Sequence, residues 1–387
     1  MNGTNYPGWA ALERMTTPDN GWVACNANSP RFCNVEPTVI TSLSLTQPDD
    51  WHLHLRDGDV LRDMVRWSAA QFARAVVMPN LKPPVATVAG ALAYRDRIRG
   101  AVPAGRSFEP LMTLYMSEAL TASEVVRAKE AGVVGVKLYP AGATTNSETG
   151  VQSLRGIYPV LEAMQRIDLP LLIHGEVVDT TVDIFDREAA FLERHLIPLR
   201  RDFPELRVVL EHITTREAAQ YIAQADRRTA ATITAHHLIY NRNAMLVGGM
   251  RPHYYCLPVL KREEHRLALL RAATSGSPRF FLGTDSAPHA TALKEHACAC
   301  AGCFTAPLAL ELYAQAFDAA GALSMLEGFA SFHGPDFYGL PRNAGKITLV
   351  REPWQVPAQL PMGQTHISPL CGGETLSWRC AESVRCS

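Results

Sequence analysis

The sequence predicts an α/β fold, a (β/α)8 TIM barrel with short N- and C-terminal extensions. From about residue 45, eight short apolar and β-branched runs alternate with longer amphipathic stretches. The runs are continuously apolar, which is typical of parallel strands that are covered on both faces. Eight strand–helix units over roughly 250 residues match the usual size of this barrel. A doubly wound open sheet is the main alternative.

The predicted strands follow one another at regular intervals. In chain order they are "DDWHLHLR", 74–80, 108–115, 132–139, 169–176, 206–213, 229–237 and 279–286. Helices are predicted between them, for example over 87–101, 121–132 and 184–200. Thr121 and Glu124 match the Ser/Thr-x-x-Glu capping box at the start of the second of these helices, and Gly132 fits its C-terminal end.

The chain of 387 residues is predicted to contain one barrel domain, residues 39–350, followed by a C-terminal tail, 351–387. Residues 1–38 are rich in Gly, Pro, Asn and Thr with little periodicity, which predicts a weakly ordered extension. The location predicted from the sequence is cytoplasmic. A mitochondrial or plastid location stays open as the alternative, if this extension is a transit segment.

Composition excludes several classes of protein. The formal net charge of −1 argues against binding to nucleic acid or a membrane surface, because both usually need a basic excess. No apolar run approaches the ~20 residues that span a bilayer. The nine cysteines are an odd number without a secretory-type N-terminus, so we predict a reducing compartment and no disulfide framework.

Polar residues gather at the C-terminal ends of the predicted strands. Those ends converge on one face of a (β/α)8 barrel, where active sites are built. The residues concerned are His52, His54, Asn80, Lys137, His174, His212 and Asp285.

The His-x-His pair suits a strand, because residues i and i+2 of a strand point to the same side. Imidazole nitrogens and a carboxylate oxygen together suit zinc, which keeps a position open for water in catalytic sites. Alone, His52 and His54 are better interpreted as polar residues at a strand edge, and single histidines are usually hydrogen-bonded core residues. Several strands that each end in a ligand-type residue favour a metal site.

Lys137 is the unusual member of this set, because metal cations would repel a protonated ammonium. Three interpretations stay open at this point. Lys137 is a surface lysine, a desolvated catalytic amine, or a lysine converted by carbon dioxide into an anionic carbamate that can bridge two metals.

Longer motifs surround these residues from about residue 45 to 345. They are "QPDDWHLHLRDGD", "VVMPNLKPPV", "VKLYPAGATTNS", "LLIHGEV", "FDREAAF", "LEHITT", "NRNAMLVGG", "YCLPVLKR" and "FLGTDSAPH". Together these motifs resemble those of the single-function dihydroorotases of bacteria and plants, members of the amidohydrolase superfamily.

The resemblance implies a barrel with two zinc ions per subunit. His52 and His54 would bind the more buried zinc together with Asp285. The N6-carboxylated Lys137 would bridge both ions, and His174 and His212 would complete the second site.

The resemblance also implies how substrate is held. The carboxylate would contact Arg56, Asn80 and His289. The pyrimidine ring would contact Ala301 and the backbone of Leu257, with His174 also among the substrate-binding residues. A mobile loop that carries Thr144 and Thr145 would close over the site.

The implied reaction is the reversible cyclisation of N-carbamoyl-L-aspartate to (S)-dihydroorotate plus water in de novo pyrimidine (UMP) biosynthesis. In the ring-opening direction, a metal-bridging hydroxide would attack the cyclic amide, since metals lower the pKa of bound water from 15.7 to roughly 7. Asp285 would act as general base and then as general acid. The small-molecule substrate is the expected ligand, and a homodimer is expected from the family. The alternatives are a hydantoinase or allantoinase, and a metal-free scaffold protein.

Other polar residues of the sequence lie outside this ligand set. Cys298, Cys300 and Cys303 form a C-x-C-x-x-C cluster that could suggest a third metal, but no partner pair with zinc-finger spacing follows, and the family that the chain resembles has similar cysteines without a structural zinc. We therefore interpret them as free thiols. His236 and His237 are predicted to end the seventh strand and are left out of the ligand set. Glu176 is interpreted equally as support for His174 or as a solvated carboxylate. His296-Ala297 stands where the family pattern has small serines, so contacts around 294–303 are less closely predicted.

Overall fold

Eight parallel strands form the centre of the computed structural model, which describes residues 40–381. A separate strand, β1 (Ser42–Thr46), precedes them. The barrel strands are β2 (Asp49–Leu53), β3 (Arg74–Val77), β4 (Glu109–Tyr115), β5 (Gly135–Leu138), β6 (Leu171–His174), β7 (Val208–Glu211), β8 (Thr229–Ile233) and β9 (Phe280–Leu282). Each pairs in parallel with the next along the chain, so all eight predicted strands are confirmed, with shorter ends.

Backbone hydrogen bonds close the sheet between its first and last strands. The amide of Asp285 donates to His52 O at 2.9 Å, and the amide of His54 donates to Ser286 O at 3.1 Å. These bonds join the ends of β2 and β9. The fold is therefore the predicted barrel and not the open sheet.

Helices follow most strands and cover the barrel. They are α1 (Leu61–Gln71), α2 (Val88–Ala101), α3 (Ala122–Glu130), α4 (Tyr158–Arg166), α5 (Arg187–Phe191), α6 (Ile197–Asp202), α7 (Arg216–Gln224), α8 (Ala235–Ile239), α9 (Asn243–Leu246), α10 (Glu263–Ala273), α11 (Thr291–Lys294), α12 (Ala309–Ala319) and α13 (His333–Tyr338). Thr121 caps α3 by accepting from the Glu124 amide at 3.2 Å, as the capping box predicts. The helix predicted over 184–200 begins later and contains a π-helical turn, Leu192–Leu196, between α5 and α6.

The seventh predicted strand ends four residues early. Strand β8 stops at Ile233, and His236 and His237 lie on α8 instead of on the strand. The cause is the hydroxyl of Thr234, which accepts a hydrogen bond from the His237 amide at 3.2 Å and starts a helix there. The prediction that these histidines end a strand was wrong.

Short antiparallel strands lie outside the barrel. Strand β10 (Lys346–Val350) pairs with β1 and with β15 (Arg379–Cys380). Two further pairs are β11 (Trp354–Gln355) with β14 (Thr375–Leu376), and β12 (Leu360–Met362) with β13 (Thr365–Ile367). The predicted extension, residues 1–38, lies outside the described residues. Within residues 40–381, no helix is long and apolar enough to cross a membrane.

The bottom of the barrel is closed by aromatic packing. Trp51 is fully buried, and its ring stacks on Tyr338 with centroids 4.5 Å apart. Gly334 lies directly over the indole: a Cβ on this residue would meet Trp51 Nε1 at 1.9 Å. Helix α13 therefore needs glycine at this position to pack against the strand that carries His52.

We expect Gly334→Ala to lower the free energy of unfolding by at least the ~1–3 kcal/mol typical of overpacking. The added methyl group would overlap the indole of Trp51, which is fully buried and can move only if its neighbours move. Denaturant unfolding measures this loss. Gly100→Ala is the matched control: Gly100 lies in α2 with nothing within 4 Å of an added Cβ. This control should stabilise by about 0.5–1 kcal/mol. Equal stability of Gly334→Ala and the wild type would contradict the packing argument.

Candidate active site

A pocket at the C-terminal mouth of the barrel unites most of the predicted site residues. Eleven of the predicted residues line it: His52, His54, Arg56, Asn80, Thr144, Thr145, His174, His212, Leu257, Asp285 and Ala301. Tyr139, Ala287 and Gly302 complete the lining. Of the other two predicted residues, His289 is hydrogen-bonded to Arg56, and Lys137 is a near neighbour of Tyr139.

Three of the predicted metal ligands converge on one point. Asp285 Oδ1 lies 3.4 Å from His52 Nε2 and 3.1 Å from His54 Nε2. The two imidazole nitrogens are 3.3 Å apart. Burial raises the pKa of Asp285, but hydrogen bonds from both histidines outweigh it and hold that pKa well below its usual range. Two imidazoles and an ionised carboxylate fit a divalent metal such as zinc.

Lys137 has no exposed surface. Its Nζ lies 3.6 Å from Glu211 Oε2 and 5.0 Å from the centre of the Tyr139 ring, and it has no hydrogen-bond partner among the described residues. Desolvation lowers the pKa of Lys137 to about 7. The side chain is therefore not a surface lysine, and a sizeable neutral fraction of the amine exists near neutral pH.

His174 and His212 lie beside this group. The His212 ring centroid is 4.9 Å from that of His52 and 4.9 Å from that of His174. His174 Nε2 is hydrogen-bonded to Glu176 Oε2 at 2.8 Å, and both residues are buried. Glu176 is therefore not a solvated carboxylate: it is buried and orients His174 through this hydrogen bond.

The pocket also contains a guanidinium group, that of Arg56. Arg56 Nε donates to Pro288 O at 2.9 Å, and Arg56 Nη2 lies 2.9 Å from His289 Nε2. His289 Nε2 is also 3.1 Å from Ala301 O. These contacts fix the guanidinium plane beside the histidine and carboxylate cluster. A guanidinium held in this way is suited to bind a carboxylate with two parallel hydrogen bonds.

The loop that carries Thr144 and Thr145 covers the pocket. Asn80 Nδ2 donates to Thr145 O at 3.0 Å, and Asn146 Nδ2 donates to Asn80 O at 3.0 Å. On the other side, the Thr145 hydroxyl lies 3.5 Å from Ala301 O. The loop thus spans two predicted substrate-binding positions. Its mobility stays a prediction.

Three site residues have left-handed backbone conformations. The φ angles are 63° at Arg56, 41° at His212 and 44° at Asp285. This region is costly for residues other than glycine, and such strain persists only where the surrounding structure imposes it. All three residues follow a strand end, so the strained turns direct their side chains into the mouth.

Two buried acids beneath the pocket were missed from the sequence. Asp50 accepts hydrogen bonds from the Thr284 amide at 2.9 Å, the Thr284 hydroxyl at 2.6 Å and the His52 amide at 3.1 Å. Glu211 contacts His52 Nδ1. Burying a carboxylate inside an apolar strand costs free energy unless the group has partners. The acids in "DDWHL" and "VVLEH" could therefore have been predicted from the sequence to have buried partners.

Residues 36–358 match the model of the amidohydrolase family. A dihydroorotase of Leptothrix cholodnii is 68% identical over 341 residues, which are 88% of this chain and 99% of the relative. The chain belongs to the amidohydrolases, among the dihydroorotases.

Solved structures agree with this membership. A crystal structure of dihydroorotase from Saccharomyces cerevisiae in complex with 5-fluoroorotic acid has a TM-score of 0.82 at 33% identity, and the match covers 88% of this chain and 98% of that one. An L-hydantoinase from Arthrobacter aurescens has a TM-score of 0.73 at 16% identity, covers 88% of this chain and 83% of its own, and shows the fold alone. Dihydroorotases of this family are metal-dependent hydrolases, and the His52, His54 and Asp285 group is a fitting metal site.

We expect Glu211→Gln to weaken metal retention by about 10- to 100-fold. Glutamine lacks the negative charge that faces Lys137 and His52 Nδ1, so it would orient the His52 ring less firmly for metal binding. Competition with a chelator, followed by metal analysis, measures this. Glu205→Gln is the control: Glu205 is an exposed acid that pairs with Arg228 at 2.6 Å. Identical metal retention in the two variants would rule out an orienting role for Glu211.

Proposed function

We propose that this dihydroorotase catalyses the reversible cyclisation of N-carbamoyl-L-aspartate to (S)-dihydroorotate plus water, a step of de novo pyrimidine synthesis. One observation carries the proposal: a single buried pocket joins a His–His–Asp metal group to a fixed guanidinium. The metal group suits opening of a cyclic amide. The guanidinium of Arg56 suits the carboxylate that both substrate and product bear.

The residues fit two zinc ions. His52, His54 and Asp285 would hold one ion, His174 and His212 the other, and a carbamate on Lys137 would bridge them. Buried polar atoms support this set, because Lys137 Nζ and His212 Nδ1 have no hydrogen-bond partner among the described residues. When bound, the ions supply a more acidic water and polarise the scissile carbonyl. Carbamate formation needs a neutral amine, and burial lowers the pKa of Lys137 to about 7.

Arg56 and its neighbours would bind the substrate carboxylate. Arg56 would pair with the carboxylate, with Asn80 and His289 on either side. The hydrogen bond between Arg56 and His289, and the one from Asn80 to Thr145 O, hold these side chains in place before substrate binds. The yeast dihydroorotase was crystallised with 5-fluoroorotic acid, a pyrimidine that carries a carboxylate. Leu257, Ala301 and His174 line the space left for the ring.

Asp285 moves the proton in this mechanism. It belongs to the metal group and lines the pocket, and its low pKa keeps it ionised at neutral pH. In the hydrolytic direction it accepts a proton from the attacking water and delivers it to the departing amide nitrogen. The Thr144–Thr145 loop would close over bound substrate and exclude bulk water.

A homodimer and a cytoplasmic location belong to the same proposal. The apolar side chains of Leu246, at the end of α9, and of Val247 and Met250, which follow it, are exposed and offer a surface for a second copy. The division into an extension (1–38), a barrel domain (39–350) and a tail (351–387) is likewise proposed.

Assays of dihydroorotate and hydantoin hydrolysis test the substrate assignment. The wild type should prefer dihydroorotate, because hydantoin lacks the carboxylate. Arg56→Lys keeps the charge but loses the planar fork, so KM for dihydroorotate should rise by about 10- to 100-fold while metal content persists. Arg97→Lys, a partly exposed residue paired with Asp57, is the control. Preference of the wild type for hydantoin would overturn the assignment.

Lys137→Ala tests the bridging role. We expect the variant to lose nearly all activity and part of its metal, because no anion replaces the carbamate. A short carboxylic acid should restore part of both, since it supplies a carboxylate in the cavity. Lys129→Ala, an exposed residue of α3, should behave as the wild type. Full activity in Lys137→Ala would refute the carbamate.

A further inference from the structure

A buried lysine holds the segment of the pocket that carries Ala301. Lys294, the last residue of α11, is only 3% exposed, and it forms no ion pair with an acidic side chain among the described residues. Its ammonium donates to three carbonyl groups, Tyr255 O at 2.8 Å, Cys300 O at 2.9 Å and Gly302 O at 2.7 Å. Three N–H groups thus have three acceptors, and only a protonated lysine can donate to all of them.

A charge in this place does not serve stability alone. Burial lowers the pKa of Lys294, because the charged form loses its hydration. An apolar side chain of similar length, such as methionine, would fill the same space without this loss. The three hydrogen bonds are better explained by the backbone conformation that they impose.

The carbonyl of Ala301 lies between two carbonyls that Lys294 holds. Cys300 and Gly302 flank Ala301 in the chain, and both of their carbonyl oxygens accept from the ammonium. Gly302 itself has a φ of 145°, and a Cβ on it would meet Ala287 O at 2.9 Å. The segment therefore has little freedom, and Lys294 fixes the direction of the Ala301 carbonyl from both sides.

This carbonyl faces His289. His289 Nε2 lies 3.1 Å from Ala301 O and 2.9 Å from Arg56 Nη2. Burial and the neighbouring guanidinium lower the pKa of His289 to about 2, so the imidazole is neutral near pH 7. In a neutral imidazole each nitrogen either donates or accepts. Nε2 can therefore donate to Ala301 O or accept from Arg56, but it cannot do both.

We propose that Lys294 is a positioning residue for substrate binding, and that it acts through Ala301 O on the tautomer of His289. A carboxylate bound to Arg56 takes the place of His289 as the acceptor from Nη2. A carboxylate beside Nε2 also requires a proton on that nitrogen, because two acceptors would otherwise face each other. Ala301 O stabilises the Nε2–H tautomer that meets this requirement.

The change of tautomer leaves the charge of His289 unaltered. One proton leaves Nδ1 and one is taken up at Nε2, both by exchange with water. Lys294 is not among the residues that line the pocket, so its effect on the substrate is indirect. The inference rests on the proposed function, in which Arg56 and His289 bind the substrate carboxylate.

Lys294→Met in the full-length protein tests the positioning role. Methionine keeps the apolar stem but lacks the three donors, so the Ala301 carbonyl is no longer fixed. We expect KM for dihydroorotate to rise by about 10- to 100-fold, with a much smaller change in kcat and unchanged metal content, because hydrogen bonds to a charged group are lost and the effect is on binding.

Lys261→Met is the matched control. Lys261 is also 3% exposed, but its hydrogen bond goes to Val259 O, at 3.0 Å, and not to the segment that carries Ala301. This variant should keep the KM of the wild type. An unchanged KM in Lys294→Met, or an equal rise in both variants, would reject the role of Lys294.

Nitrogen-15 NMR of protein labelled in its histidines reports the tautomer and keeps the proposal testable even if Lys294→Met fails to fold. The probe is 5-fluoroorotic acid, the ligand of the yeast crystal structure. The signals of His289 are identified by their absence in His289→Asn. We expect Nε2 of His289 in the wild type to be unprotonated without the probe and protonated with it. An Nε2 that stays unprotonated in the complex would overturn the proposal, as would one that is protonated equally in Lys294→Met.

Failure of this inference differs from failure of the proposed reaction. A wild type that turns over dihydroorotate while His289 Nε2 stays unprotonated in the complex would reject the role of Lys294 alone. A wild type that does not turn over dihydroorotate would overturn the reaction and this inference with it.

Discussion

Lys137 is wholly buried at the mouth of the barrel, where its side chain has lost its hydration and has gained a carboxylate at 3.6 Å but no hydrogen bond among the described residues. An ammonium in such a place is expensive, so its pKa falls to about 7 and the neutral amine becomes accessible. The neighbouring histidines are also buried. The site therefore contains buried polar atoms, Lys137 Nζ and His212 Nδ1 among them, that have no hydrogen-bond partner within residues 40–381.

The barrel holds this costly arrangement in place by fixing backbone positions around it. Asp50 binds the start of the turn after β9, and the amides of His54 and Asp285 close the sheet at the same level. Because these bonds cross between the first and last strands, closing the barrel and aligning His52 with Asp285 are one event. The left-handed turns at Arg56 and Asp285 are stored strain that this closure maintains.

The pocket separates two chemical tasks in space. The histidine and carboxylate group lies at the strand ends, whereas Arg56 and His289 lie on the turns beyond them. Substrate bound between the two would have its reacting amide at the metal group and its carboxylate at the guanidinium.

The sequence by itself determined the eight strands, the barrel class and the residues of the mouth, because apolar runs and the polar residues that end them are local patterns. It also carried the family motifs. Only the tertiary structure decided that Lys137 is desolvated, that Glu176 supports His174, and that Glu211 contacts His52, since these depend on which strands are neighbours. Local chemistry misled at His236: the Thr234 cap turned a predicted strand end into a helix.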